Sequence, residues 1–233
     1  MKTLKEFVCN PLPTPNCHAS TVLPLPDGSV LAAWFGGTKE STPDVDIWYA
    51  RRNENGWGEP KRISYHSRIP HWNPVLFLRE NGEVVLFFKV GKNIPPWRTF
   101  FCVSKDNGLS FDAPRELVPG DRSGGRGPVK NKVLVTKDGK IIAPASSEQG
   151  EWKAFFDISE DGGNTWTRTD FVVAKDGKGK TVGMIQPTLW EDGDGNIHAM
   201  FRTKAGWIYR SDSTDGGYTW CEAYKTSLMN KNS

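Results

Sequence analysis

Ser159-Glu160-Asp161-Gly162-Gly163-Asn164-Thr165-Trp166 recurs as Ser213-Thr214-Asp215-Gly216-Gly217-Tyr218-Thr219-Trp220 and, with Phe in place of Trp, as Ser104-Lys105-Asp106-Asn107-Gly108-Leu109-Ser110-Phe111. A degenerate copy, Ala50-Arg51-Arg52-Asn53-Glu54-Asn55-Gly56-Trp57, comes before them. The closing aromatics Trp57, Phe111, Trp166 and Trp220 stand 54, 55 and 54 residues apart. A fixed period of that length marks stacked, equivalent units. Within one copy the chemistry is that of a tight turn: the aspartate accepts backbone and hydroxyl hydrogen bonds, and the aromatic packs the turn down. Asp106, Asp161 and Asp215 therefore read as turn staples and not as catalytic acids.

A second repeated element lies upstream of each turn motif. An apolar run is followed by Asp27-Gly28, Asn81-Gly82, Asp138-Gly139 or Asp194-Gly195, and then by another apolar run such as Ser29 to Trp34 or Glu83 to Val90. Asp-Gly and Asn-Gly between apolar runs signal β-hairpins. The first strands of these hairpins start near His18, Trp72, Lys130 and Gln186. With the motif joining an outer pair, each repeat supplies four strands. Asp192-Gly193-Asp194-Gly195-Asn196 falls at one of these turns and lacks the spaced Glu of a calcium loop.

Composition agrees with many short strands. The chain of 233 residues holds ten Trp, 24 Gly and 16 Pro, with 37% hydrophobic and 24% charged residues. The net charge of +3 is small and the basic residues are scattered, which argues against a nucleic-acid partner. The densest basic stretch, Lys175 to Lys180, reads as a solvated Gly-rich turn. No apolar run is long enough to span a membrane, and Met1 to Asn10 lacks the apolar core of a signal peptide. A cytoplasmic location is the resulting expectation. Cys9, Cys17, Cys102 and Cys221 have no C-x-x-C spacing, so neither a metal nor another cofactor is expected.

The S-x-D-x-G-x-[ST]-W motif is the Asp box, and the chain resembles the sialidase-like BNR-repeat glycoside hydrolases. The resemblance implies an all-β fold: a β-propeller of the six-bladed sialidase type, here about four blades of four antiparallel strands. Residues 1–233 are then one incomplete propeller domain, with Thr3 to Val8 a strand that would complete a last blade. Open blade faces would favour self-association.

In a propeller the start of each innermost strand faces the channel, which points to His18, Asn73, Lys130, Asn131, Lys132 and Gln186 as ligand-contacting positions. Further implications come from the resemblance alone. The loop Gly36 to Asp46 corresponds to the one that carries a general acid/base aspartate in sialidases. Asp44 matches with a shift of two residues, and Asp46 and Glu40 are its reserves. Arg202 coincides with one of three arginines that clamp the substrate carboxylate. Gln186 stands where sialidases keep a glutamate that activates a tyrosine nucleophile, and His18 stands in place of the first arginine. The nucleophile and the remaining arginine would lie beyond Ser233. His18 to Thr21, Phe35 to Thr38 and Gly127 to Lys132 carry the signatures of one branch of these proteins. The expected partner is a glycan or small acidic sugar, with Lys39, Lys130, Lys132 and Arg202 suited to its charge. Glu148 is a further carboxylate that could serve as a base. The expected activity is exo-glycosidic removal of a terminal acidic sugar; a non-catalytic propeller that binds glycans or proteins is the alternative.

Overall fold

Each Asp-Gly or Asn-Gly dipeptide closes a hairpin in the computed structural model, which describes residues 3–63, 65, 68–92, 97–148 and 150–230. At the first, Gly28 N–H donates to Leu25 O at 3.0 Å and Ser29 N–H to Asp27 Oδ1 at 3.0 Å, so the turn side chain satisfies the backbone it bends. Among the described residues there are seventeen strands and no helix. The first sheet holds β1 (Asn16–Pro24), β2 (Val30–Gly37), β3 (Asp46–Asn53) and β4 (Gly56–Trp57), with β5 (Lys61–Ile63) also paired to β3. The second holds β6 (His71–Leu78), β7 (Val84–Val90), β8 (Arg98–Ser104) and β9 (Arg115–Glu116). The third is β10 (Leu134–Val135), β11 (Ile141–Ser147), β12 (Lys153–Ser159) and β13 (Thr167–Arg168). The fourth is β14 (Met184–Glu191), β15 (Ile197–Thr203), β16 (Trp207–Ser213) and β17 (Tyr224–Met229). Every sheet is an antiparallel meander in chain order, the form of a propeller blade.

The chain divides into two compact units, residues 1–92 with 100–115, and residues 93–99 with 116–233. In the first unit Leu31, Ala33, Ile47, Val75 and Leu76 are at most 1% exposed. In the second, Ile142, Phe156, Ile158, Ala199, Phe201 and Tyr209 form one buried cluster.

The Asp boxes lie between the third and fourth strands of their blades and are wired alike. Ser104 Oγ donates to Asp106 Oδ1 at 2.7 Å and accepts from Gly108 N–H at 2.8 Å, while Ser110 N–H and Oγ donate to the two carboxylate oxygens. Ser159, Asp161, Gly163 and Thr165 repeat the pattern, as do Ser213, Asp215, Gly217 and Thr219. Two of the closing aromatics pack on the preceding blade. Phe111 meets Tyr49 of β3 edge-on at 5.0 Å, and Trp220 stacks on Phe156 of β12 at 4.1 Å. Thus one motif both closes a hairpin and stitches two blades together.

Burial works to raise Asp106 and Asp215, but the donors from Ser110 and Thr219 outweigh it and hold both at about 2. Asp161 lies well below the ordinary carboxylate range, chiefly through the Thr165 amide and hydroxyl. A carboxylate whose pKa is lowered on folding stabilises the fold above its unfolded value of about 3.9, and that stabilisation is lost as pH falls toward the folded value. Thermal melts are therefore expected to show a flat Tm above about pH 5 and a decline from about pH 4 toward pH 2. Asp106→Asn should remove part of that slope.

Two expected strands are absent. Thr3 to Val8 is irregular; instead of pairing, Val8 and Cys9 pack on Ala32, Trp34 and Ala50, and Arg52 pairs with Glu6. Lys130 to Lys132 is also not a strand, because the third blade begins its hairpin only at β10. A loop replaces the missing length. Its Arg126 pairs with Asp157 at 2.7 Å, Gly127 N–H donates to the same carboxylate, and Val129 N–H donates to Pro144 O at 3.0 Å. A Cβ at Gly125, whose φ is +117°, would stand 2.5 Å from Ser146 O, so this loop lies too close to β11 for any larger residue.

Candidate functional site

Three of the four innermost strands carry the same local distortion. The pairing of β1 with β2 slips between His18 and Thr21, that of β6 with β7 between Trp72 and Val75, and that of β14 with β15 between Ile185 and Thr188. Inside each slip one residue adopts left-handed backbone: Ala19 (φ 51°), Asn73 (φ 44°) and Gln186 (φ 53°). Such bulges bend a strand and re-aim its side chains, and non-glycine residues persist in this region only where surrounding structure holds them. Asn73 and Gln186 are the bulged residues themselves, whereas His18 precedes the bulged Ala19. The exposed His18 ring sits edge-on to Phe35 at 5.5 Å.

In the second unit the bulge assembles a polar chain. Asn131 Nδ2 donates to Gln186 O at 2.9 Å and Pro187 O at 3.0 Å, holding both bulge carbonyls. The Asn131 amide nitrogen is thus engaged with backbone. Gln186 Nε2 donates to Glu148 Oε1 at 3.4 Å, and Gln186 Oε1 accepts from Arg202 Nη1 at 3.4 Å. The Arg202 guanidinium also lies 5.1 Å from the centre of the Trp152 ring, with the Lys204 ammonium 4.5 Å from that ring. One amide therefore ties a cation to a carboxylate beside an aromatic wall. Lys130 and Lys132 are exposed on the neighbouring loop, and partial desolvation lowers Lys132 from its usual range.

In the first unit the loop between β2 and β3 clasps Asp44. Thr38 N–H and Oγ1 donate to Asp44 Oδ2 at 2.8 and 2.7 Å, and Thr42 Oγ1 donates to Oδ1 at 2.5 Å. The Thr38 hydroxyl, then the Thr42 hydroxyl and the Thr38 amide, bring its pKa down to about 2. Asp44 is exposed and ionised at neutral pH. Gly37 passes so close that a Cβ would lie 2.9 Å from Val45 Cα, which fixes the return of the loop. Lys39 and Glu40 are exposed on it, and Lys39 N–H donates to Thr42 Oγ1 at 3.2 Å. Asp46 is buried instead, 3.4 Å from His71 Nδ1 and 3.4 Å from Arg62. His71 donates from Nδ1 to Val45 O and accepts the Tyr65 amide at Nε2, an arrangement that suits the neutral ring. Asp46 thus braces the base of β3.

Lys89 was not among the expected site residues. It pairs with Trp72, the residue before bulged Asn73, as Arg202 pairs with Ile185 before bulged Gln186. Both cations stand seven residues after the glycine of their hairpin turn, so the equivalence is countable in the sequence. Lys89 is fully buried. Trp152 was also missed, because its link to Arg202 spans 50 residues. Among the described residues no group of three or more His, Cys, Asp or Glu could hold a metal ion.

The meandering blades, Asp boxes and inner-strand bulges define a β-propeller of the six-bladed sialidase type. A family model described as BNR repeat-like domain matches residues 28–233, and the chain belongs to that family. Among solved structures, a protein of unknown function from Dyadobacter fermentans aligns at 18% identity with a TM-score of 0.74, over 91% of this chain and 70% of that one. The intramolecular trans-sialidase from Ruminococcus gnavus aligns at 15% identity and a TM-score of 0.71, over 91% and 71%. The NanB sialidase from Streptococcus pneumoniae aligns at 15% identity and a TM-score of 0.71, over 91% and 52%, so the chain spans about half the length of that enzyme. At these identities the likeness shows the fold. No curated protein matches the sequence.

Proposed function

We propose that the chain serves a sialidase-like exo-glycosidase that removes a terminal acidic sugar from a glycan. The observation that carries this reading is Arg202 at the end of β15, held between the Gln186 amide and the Trp152 ring. A guanidinium is the side chain best suited to a sugar carboxylate, because its charge and planar donors match that group. His18, Asn73, Lys39, Lys130 and Lys132 are further ligand contacts in this reading, and Gln186 and Asn131 position Arg202 and the bulge.

Asp44 is the proposed acid/base. A departing alkoxide needs a proton, and a carboxyl donates it best when its pKa lies near the working pH. The threonine clasp holds Asp44 ionised in the free protein, and desolvation by a bound sugar opposes that clasp. Thr38→Val removes a donor to the charged form and raises the Asp44 pKa. A general acid acts while protonated, so the variant should keep its turnover to higher pH than the parent. An unmoved pH profile would remove Asp44 from this role.

Calorimetric titration with N-acetylneuraminic acid tests the binding half of the proposal. Arg202→Met should weaken binding by about 100-fold, and Arg202→Lys should recover little because an ammonium lacks the paired donors. Unchanged affinity in Arg202→Met would overturn the assignment. Turnover of a fluorogenic sialoside, by a longer chain that carries the expected tyrosine nucleophile, tests the other half. Gln186, an amide that cannot accept a proton as a carboxylate does, favours one second reading: a propeller that binds acidic glycans without cleaving them. Binding without turnover would select it.

A further inference from the structure

A cleft of about 490 Å³ opens in the second unit beside the Arg202 group. Trp152, Phe171 and Val173 form apolar walls, and Lys153 and Lys204 stand at its edge. The floor is ordered: Met184 N–H donates to Trp152 O at 3.1 Å, and Val182 N–H donates to Ala174 O at 2.9 Å. Phe171 keeps 38% of its surface exposed and Val173 51%, a large apolar exposure for residues that flank a buried strand core. Cations already collect on the ring of Phe171, where Arg168 lies 4.5 Å and Lys153 5.5 Å from the ring centre.

Thr181 and Ala174 also line the cleft, and they are the two ends of the basic turn noted in the sequence. That turn is a built hairpin, not a loose loop. Lys175 bridges to Thr181, Asp176 N–H donates to Lys180 O at 2.8 Å, and Asp176 Oδ1 accepts the amides of Lys178 and Lys180, each at 2.9 Å. Lys175, Lys178 and Lys180 are all exposed. The cleft and its hairpin thus gather five lysines against two carboxylates, Glu151 and Asp176. Apolar walls rimmed by cations suit an acidic sugar.

We propose that this cleft is a second carbohydrate subsite, which takes the acidic sugar next in line to the one held at Arg202. The preferred ligand is accordingly a glycan with adjacent carboxylated sugars. The proposal rests on the reading of Arg202 as the first-sugar site. Its own signature is a dependence on chain length and on the hairpin lysines Lys175, Lys178 and Lys180.

The test is calorimetric titration of the whole chain with a sialic acid dimer, the monomer and a sulfated heparin tetrasaccharide. The dimer should bind about tenfold more tightly than the monomer, as an added charged contact allows. The triple variant Lys175→Gln, Lys178→Gln, Lys180→Gln should lose that gain and leave monomer binding unchanged; these exposed positions allow the fold to be checked by its melt. Phe171→Ala should lower dimer affinity without touching the hairpin charges. Equal affinities for dimer and monomer, or an equal loss for both in the triple variant, would overturn the subsite. Lysine-dependent binding of the tetrasaccharide with no gain for the dimer would overturn its assignment to carboxylated sugars. Lysine-dependent dimer binding without any monomer binding would sustain the subsite and sink the Arg202 reading.

Discussion

Asp157→Ala is expected to lower the unfolding free energy by about 3–5 kcal/mol, the range for breaking a buried ion pair from one side. The Asp157 side chain is 0% exposed and that of Arg126 12%, so water cannot replace the lost partner. The aspartate also accepts Gly127 N–H, and the variant leaves that amide without its acceptor. The cost should fall on the loop that stands in for an inner strand and leads into Lys130, Asn131 and Lys132. Denaturant melts would measure the loss, and hydrogen exchange should show early opening of residues 124–132. Removing both charges, as in Arg126→Met with Asp157→Asn, should cost less than Asp157→Ala, because the single variant leaves a buried guanidinium with only the longer contact to Asp121, at 3.5 Å, as its counter-charge. A double variant as unstable as the single one would show that the charge pair is not the source of the effect.

Gly108→Ala is expected to cost about 2–4 kcal/mol, from left-handed backbone and overpacking together. Gly108 has φ +76°, and a Cβ there would sit 2.4 Å from Leu31 Cδ1. Leu31 is 0% exposed, so it has nowhere to retreat. Gly195→Ala is the control: φ is +85°, but the nearest atom, Glu191 Oε1, is 3.8 Å away. It should cost about 1–2 kcal/mol, the conformational part alone. Pairing Gly108→Ala with Leu31→Ala should give a loss smaller than the sum by about 1 kcal/mol, since the two changes share one space. Strict additivity would mean that the box does not press on the preceding blade.

The blades were legible in the sequence because their signals are local. An Asp box closes its hydrogen bonds within seven residues, from Ser104 to Ser110, and an Asp-Gly turn within five, from Leu25 to Ser29. The third inner strand begins later than the repeat predicts because Gly124-Gly125-Arg126-Gly127-Pro128 is a breaker run that marks irregular backbone. Thr3 to Val8 carries two charged residues among its apolar ones, and it packs through Val8 without pairing. The Thr38, Thr42 and Asp44 clasp is local and was open to inspection as three spaced oxygen-bearing side chains. The Glu148, Trp152, Gln186 and Arg202 group was not, because its contacts join residues between β11 and β12 to the inner strands of the next blade and depend on a bulge that no residue type announces.

The bulges at Ala19, Asn73 and Gln186 separate two tasks that a protein usually solves together. The bend sits in the main chain, so the identity of the bent residue can change while the two strands keep their pairing. Asparagine tolerates this backbone better than alanine or glutamine. Ala19 and Gln186 are thus positions where the fold accepts a poorer conformer for what the side chain does or leaves undone. A lineage built on such blades can exchange its chemistry one socket at a time, with the frame already paid for.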